Sequence, residues 1–144
     1  MVWYIISGSC RKIRRENVKA IILEDDIMKC IAIKNAINRC SFDEVDWCDN
    51  QEDGLQKIKN SVEQDSPYDL IVTDMQYPLE LSGEIDVDAG HKLIAKLKED
   101  GIDIPIIVCS SLRLSIPGIL GNVWYNKLKD INMDFREIIS KRYS

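Results

Sequence analysis

The chain has 144 residues and a net charge of −5, with 45% hydrophobic and 30% charged residues. This length predicts one domain whose core is large enough to need no metal or disulfide staple. The acidic balance disfavours general binding to nucleic acid or to an anionic membrane, because both require a basic surface. No apolar segment is long enough to span a bilayer.

The five cysteines form no Cys-x-x-Cys pair, and the single histidine, His91, is expected on the surface. A zinc site of the usual spacing is therefore disfavoured. The cysteines are interpreted as small buried hydrophobic residues of a protein in the reducing cytoplasm.

Residues 1–18 are interpreted as an N-terminal extension that precedes a domain over residues 19–144. Their apolar start is followed by basic residues, which is the reverse of a signal peptide. An extra edge strand, a segment that docks a partner and a partly ordered tail all remain open for this extension.

A first buried strand, residues 19–23, is followed by three acids, Glu24, Asp25 and Asp26. Apolar residues then recur every three or four positions, which predicts a helix over 27–40 with Asp26 as its N-cap. The expected apolar face of this helix consists of Ile27, Cys30, Ile33, Ile37 and Cys40.

The middle of the chain predicts a short strand at 44–48, a second helix and a buried central strand at 69–74. The second helix has Leu55, Ile58 and Val62 as its apolar face. The central strand is a continuous run of branched apolar residues after Pro67, as in a parallel strand that is covered on both faces. It ends at Asp74, where open α/β sheets place their ligands.

The second half of the chain continues the alternation of strands and helices. Its predicted elements are a long acidic loop at 75–88, a helix over 90–99, strands at 105–109 and 123–126, and a closing helix that contains Phe135, Ile138 and Ile139. Residues 112–121 include a proline and two glycines, so that they can hold only a short helix or an irregular loop.

This alternation predicts an α/β fold with a doubly wound parallel sheet. The carboxyl ends of parallel strands share one edge, where Glu24, Asp25, Asp74, Ser110 and Lys127 would converge. Clustered carboxylates suit a hard divalent cation such as Mg²⁺, and a hydroxyl and an ammonium opposite it suit phosphoryl oxygens. A carboxylate such as Asp74 can itself be the nucleophile and form an aspartyl phosphate.

Taken in order, the motifs resemble a response-regulator receiver domain of two-component signalling over roughly residues 18–142. The motifs are Glu24-Asp25-Asp26, Asp53-Gly54, Asp74-Met-Gln-Tyr-Pro78, Pro105-Ile-Ile-Val-Cys-Ser110-Ser and Trp124-Tyr-Asn-Lys127. The resemblance implies a five-stranded, flavodoxin-like (CheY-like) receiver fold with a shortened fourth helix.

The resemblance also implies a role for each matching residue. Asp74 would accept the phosphoryl group, and Lys127 would pair with it. Glu24, Asp25, Asp74 and the main-chain carbonyl of Gln76 would hold Mg²⁺ (or Mn²⁺), Ser110 would be the switch hydroxyl, and Trp124 would be either the aromatic switch or an ordinary aromatic residue.

Three departures from the family pattern bear on output more than on phosphorylation. The loop at 75–89 is longer than usual, the segment from Ser110 to Lys127 is shorter, and Leu128 stands where the family commonly has proline. Few residues follow the closing helix, so output is expected through protein–protein contacts and not through an attached effector domain.

The implied partners are a histidine kinase or phosphotransfer protein, an unknown downstream protein and possibly a second copy of the chain. No enzymatic activity is expected beyond the domain's own phosphoryl transfer and autodephosphorylation. Two alternatives remain: a receiver-like interaction module that phosphorylation does not regulate, and a Mg²⁺-dependent phosphohydrolase. The latter is disfavoured because Gln76 stands two positions after Asp74, where such enzymes commonly carry a second acid.

Overall fold

The computed structural model of the protein describes residues 2–6, 9–13 and 17–143. Its centre is a five-stranded parallel sheet that is covered by four helices. In chain order the elements are β1 (Val2–Ile6), β2 (Ser9–Ile13), β3 (Lys19–Leu23), α1 (Ile27–Asn38), β4 (Glu44–Cys48), α2 (Gln51–Glu63), β5 (Leu70–Thr73), β6 (Tyr77–Pro78), β7 (Ile85–Asp86), α3 (Ala89–Glu99), β8 (Ile106–Ser110), β9 (Gly121–Trp124) and α4 (Asn132–Tyr143).

The strand order in the central sheet is β4-β3-β5-β8-β9, and every neighbouring pair is parallel. This confirms the predicted doubly wound fold. The chain changes direction across the sheet at β3, which lies between β4 and β5, and such a reversal opens a crevice at the carboxyl ends of the strands.

The two faces of the sheet bury alternate residues of each strand, because successive side chains of a strand point to opposite sides. Ala20 and Ile22 of β3 pack with α1 and α4, whereas Ile21 and Leu23 pack with α2 and α3. Strands that are covered on both faces must be apolar throughout, which explains why β3, β5 and β8 read as continuous apolar runs.

β1 and β2 pair with each other antiparallel and form a two-stranded sheet separate from the central one. They are therefore not edge strands of that sheet. Their side chains and residues 1, 7–8 and 14–16 lie outside the described part of the chain.

The second half departs from the predictions at two places. Residues 111–120 hold turns and no helix, so the shortened fourth helix is absent and the described chain has four helices in place of five. The last strand is Gly121–Trp124 and not 123–126, because Gly121 pairs with Ile107 and starts the ladder two residues early.

Two predicted core positions are also wrong. Ile27 is 60% exposed on α1 and Val62 is 43% exposed on α2. The segment predicted as a polar loop at 75–88 contains the small antiparallel pair β6–β7, and the Tyr77 side chain in it is fully buried. No helix among the described residues is long and apolar enough to cross a membrane.

Candidate functional site

Three carboxylates meet at the carboxyl edge of the sheet. Glu24 and Asp25 follow β3, and Asp74 follows the adjacent β5. Backbone hydrogen bonds extend the ladder to these residues: Glu24 N donates to Cys48 O at 3.1 Å, and Asp74 N donates to Leu23 O at 3.1 Å. One carboxylate oxygen from each acid lies within 4.8 Å of the others, close enough to share a metal ion.

Lys29 enters the same cluster from α1, and the sequence interpretation did not include it. Its side chain is 5% exposed, and its Nζ lies 2.7 Å from Glu24 Oε2 and 3.1 Å from Asp74 Oδ2. A signal for this was present, because Lys29 stands four residues before the buried Ile33 and so shares its face of the helix. This face of α1 begins directly after Glu24, Asp25 and Asp26, whose carboxylates can form ion pairs with a buried ammonium.

The start of α1 fixes the position of Lys29. Asp26 caps the helix as predicted, and its Oδ1 accepts hydrogen bonds from Met28 N at 3.0 Å and Lys29 N at 3.2 Å. Asp26 N in turn donates to Glu24 Oε1 at 3.1 Å. The cap therefore ties the helix start to the first acid of the site.

Burial and charge shift the pKa values of this pair. Burial raises the pKa of Glu24 to about 7; Lys29 opposes this rise, and the Asp74 carboxylate adds to it. Burial alone would lower the pKa of Lys29, but the charges of Glu24 and Asp74 outweigh it and raise that pKa. Lys29 is therefore a cation in the folded protein, and it partly neutralises the acids beside it.

An open cleft of about 600 Å³ lies above the acids. Its lining residues are Glu24, Asp25, Asp26, Lys29, Asp74, Ser111, Trp124, Tyr125, Asn126 and Lys127. Lys127 is exposed, lines the same cleft and follows the end of β9 by three residues. Asp74, the acid pair and Lys127 are thus brought to one cleft, as the strand-end argument predicts.

Ser110 and Gln76 are not among the residues that line this cleft. Ser110 is buried at the end of β8, its Oγ accepts a hydrogen bond from Leu112 N at 3.1 Å, and the neighbouring Ser111 lines the cleft in its place. Gln76 follows Asp74 by two residues, and its side chain is exposed.

Trp124 connects the last strand to the loop that follows β8. Its Nε1 donates to Ser111 O at 3.0 Å, and the Arg113 guanidinium lies 4.2 Å from the centre of its ring. Trp124 is half-buried and lines the cleft, so it contacts both the site and the loop that begins at Ser110.

A buried polar network supports the backbone around Asp74. Thr73 Oγ1 donates to Asp74 O at 2.8 Å and lies 3.0 Å from the Tyr77 hydroxyl. Gln51 Nε2 reaches the same hydroxyl at 3.3 Å and donates to Ala89 O at 2.7 Å. This network links α2, β5, β6 and α3 directly beneath the site, and no local pattern in the sequence predicts it.

The residues present fit a divalent metal ion. Glu24 Oε2 is a buried oxygen that accepts no hydrogen bond from the backbone and lies 2.7 Å from the Lys29 ammonium. Asp25 and Asp74 add carboxylate oxygens from the adjacent strand ends. An all-oxygen set that opens onto a cleft is the chemistry that Mg²⁺ or Mn²⁺ prefers.

Comparison with known proteins identifies the fold. No protein-family model matches the chain. The two-component response regulator ORR41 of Oryza sativa subsp. japonica is 26% identical over 98 residues, which are 67% of this chain and 68% of that protein.

Two solved structures have the same architecture. The receiver domain of the histidine kinase CKI1 from Arabidopsis thaliana, complexed with Mg²⁺ and BeF₃⁻, is 21% identical, and the match covers 85% of this chain and 89% of that one with a TM-score of 0.57. The phosphorylated cyanobacterial phytochrome response regulator RcpA is 17% identical, and the match covers 88% of this chain and 92% of that one with a TM-score of 0.62. The fold is that of a receiver domain.

The acid edge of the sheet lies beside three less usual features: the β8–β9 connection, the β6–β7 pair and an exposed Leu128. In place of a helix, turns connect β8 to β9, and β6 and β7 form a small sheet between β5 and α3. Leu128, directly after Lys127, is 97% exposed. The single histidine, His91, is exposed near the start of α3, as predicted.

Proposed function

We propose that this chain is a phosphorylatable response-regulator receiver that accepts a phosphoryl group on Asp74. The donor would be the phosphohistidine of a histidine kinase or phosphotransfer protein, and output would pass through protein–protein contacts. One observation carries the proposal: Glu24, Asp25 and Asp74 present their oxygens within 4.8 Å of one another in a cleft that Lys127 also lines. The relative and the solved neighbours support the signalling class.

The transfer is a displacement at phosphorus. An Asp74 carboxylate oxygen forms the new P–O bond while the P–N bond to the donor imidazole breaks, and the electron pair leaves with the imidazole. Glu24, Asp25, Asp74 and the Gln76 main-chain carbonyl would hold Mg²⁺ or Mn²⁺, which when bound supplies neutralisation of the charge on the phosphoryl oxygens. Lys127 would pair its ammonium with one of those oxygens. Water would later hydrolyse the acyl phosphate in the same cleft.

The response to phosphorylation would begin at Ser110. Its hydroxyl accepts from Leu112 N, so turning toward the phosphoryl group requires that this 3.1 Å bond breaks and that the loop after β8 moves. Ser111 O accepts from Trp124, so the same motion would reach the last strand. We propose Ser110 and Trp124 as the switch residues on this ground.

Exposed apolar side chains around the cleft support output and input through protein partners. Ile27, Met28 and Ile31 are 60%, 68% and 48% exposed on α1, next to the acids, and Leu128 is exposed beside Lys127. We assign residues 19–144 to the receiver unit and residues 1–18 to an N-terminal extension.

The proposal is tested by intact mass after incubation with acetyl phosphate and Mg²⁺. The wild type and Asp103→Asn, which alters an exposed aspartate before β8, are expected to gain one phosphoryl group. Asp74→Asn is expected to gain none. An adduct that persists in Asp74→Asn would refute Asp74 as the acceptor.

A second candidate is a receiver-shaped interaction module that phosphorylation does not regulate. The observation in its favour is Lys29, whose ammonium already bridges Glu24 and Asp74. It predicts no adduct and no Mg²⁺ binding in the wild type, so the same mass measurement with a Mg²⁺ titration separates the two functions.

A further inference from the structure

We propose that the Lys29 ammonium is a built-in cation of the acid site, which a divalent metal ion must displace in order to bind. This inference rests on the proposed function, because it concerns the metal on which phosphoryl transfer would depend. It adds a residue that sets metal affinity and that the strand-end motifs do not include.

The contacts of the two carboxylates show what Lys29 occupies. Each has one oxygen on a backbone N–H: Glu24 Oε1 accepts from Asp26 N at 3.1 Å, and Asp74 Oδ1 accepts from Met75 N at 2.7 Å. Each has its other oxygen on Lys29 Nζ, at 2.7 Å and 3.1 Å. The ammonium thus holds the two oxygens that the backbone leaves available.

A divalent ion would compete with this ammonium for those oxygens. Mg²⁺ binds carboxylate oxygens at about 2.0–2.1 Å. With Nζ within 3.1 Å of both oxygens, a metal ion there would lie a few ångströms from the ammonium charge. Repulsion between the two cations at this distance therefore favours displacement of the ammonium when a metal ion binds.

Lys29 has a place to move when a metal ion binds. Tyr125 lines the cleft, and the centre of its ring lies 5.6 Å from Nζ, within the range of a cation–π contact. The lysine stem is flexible, so Nζ can swing toward the ring and the cleft mouth without a shift of α1. In the metal-free state the same lysine relieves the repulsion among the three acids.

Metal binding to wild type, Lys29→Met and Lys34→Met tests the inference. Lys34 is exposed on the same helix, so its substitution removes the same charge without touching the acids. Dissociation constants for Mg²⁺ would be read from tryptophan fluorescence, and those for Mn²⁺ from electron paramagnetic resonance. Measurement at about pH 9 lies above the raised pKa of Glu24, about 7, and so keeps that carboxylate ionised.

We expect Lys29→Met to bind Mg²⁺ about tenfold more tightly than wild type, because a like charge has left the site. Lys34→Met should stay within about twofold of wild type, as its charge is distant and screened. Equal or weaker binding by a folded Lys29→Met would overturn the inference.

A second measurement decides the matter if Lys29→Met does not fold. Lysine labelled with ¹³C at the ε position gives a signal for Lys29, assigned by its absence in Lys29→Arg. Saturation of the wild type with Mg²⁺ should shift the Lys29 signal. If Mg²⁺ binds and the signal does not shift, the inference about Lys29 is overturned, whereas the proposed function stands. If wild type and every variant fail to bind Mg²⁺ and gain no phosphoryl group, the proposed function fails and this inference with it.

Discussion

Gly90 lies where α3 touches the backbone of the site, and its replacement by alanine is expected to destabilise the protein. An added Cβ would clash with Met75 Sδ and would lie 2.8 Å from both Asp74 O and Met75 Cα. The sulfur can move, but the two backbone atoms follow β5 directly and are held by the sheet. The start of α3 must therefore shift, which strains the 3.0 Å bond from Gly90 N to Met75 O.

Overpacking of this kind costs about 1–3 kcal/mol, whereas the higher helix propensity of alanine returns up to about 1 kcal/mol. We therefore expect a net loss of about 1–2 kcal/mol in the free energy of unfolding, and a melting temperature lower by about 3–8 °C. Mg²⁺ affinity should fall as well, since the shift moves Asp74 and the chain that leads to Gln76.

Urea denaturation monitored by tryptophan fluorescence measures this loss, and Gly54→Ala is the matched control. Gly54 also lies in an early helical turn, but its Cβ would meet only side-chain atoms, Leu23 Cδ2 at 2.5 Å and Leu23 Cγ at 2.9 Å, and no fixed backbone atom. Gly54→Ala should cost less than Gly90→Ala. A Gly90→Ala protein as stable as wild type would show that helix propensity governs this position and that the backbone contact does not.

Two further predictions concern the buried network that supports the site and the ionisation of Glu24 within it. Tyr77→Phe removes a buried hydroxyl but leaves the hydrogen bonds from Thr73 to Asp74 O and from Gln51 to Ala89 O in place. Urea denaturation should therefore show that the free energy of unfolding falls by only about 1 kcal/mol. A fall of several kcal/mol would mean that the hydroxyl is the main support of the network. Because burial raises the pKa of Glu24 from 4.5 to about 7, the folded state holds that proton more tightly than the unfolded state does. The stability that this group contributes is fully present below pH 4.5 and is lost as the pH rises through 7. The urea midpoint of the metal-free protein should therefore fall between these pH values, and the fall should be smaller in Glu24→Gln. An equal fall in the variant would contradict the assignment of this pKa to Glu24.

The strands of the sheet and the acids at their ends can be predicted from the sequence, because each buried strand is visible as a continuous apolar run in its own residues. A parallel strand that is covered on both faces must be apolar throughout, so the runs at β3, β5 and β8 are visible without any partner. The residue after each run then lies at the carboxyl edge, which brings Glu24 and Asp74 together once the strand order is set.

The features that sequence reasoning missed depend on distant neighbours. Gly121 and Asn122 have little intrinsic preference for a strand and join β9 because Ile107 and Val108 lie beside them. Tyr77 looked like part of a polar loop, and it is buried because Gln51 of α2 and Thr73 of β5 meet its hydroxyl. Neither pairing has a signal in the local pattern.

Lys29 shows most clearly why composition rules fail at a functional site. Lysine is almost never buried without a partner, so a sequence interpretation places it on the surface of α1 by default. Its partners, Glu24 and Asp74, become neighbours only after β3 and β5 pair, and in the metal-free protein Lys29 offsets part of the repulsion between these acids. The site and its counter-charge therefore depend on each other. We expect strong energetic coupling between Lys29→Met and Asp74→Asn in a double-mutant cycle, because each substitution removes the same 3.1 Å ion pair between Lys29 Nζ and Asp74 Oδ2, which can be lost only once.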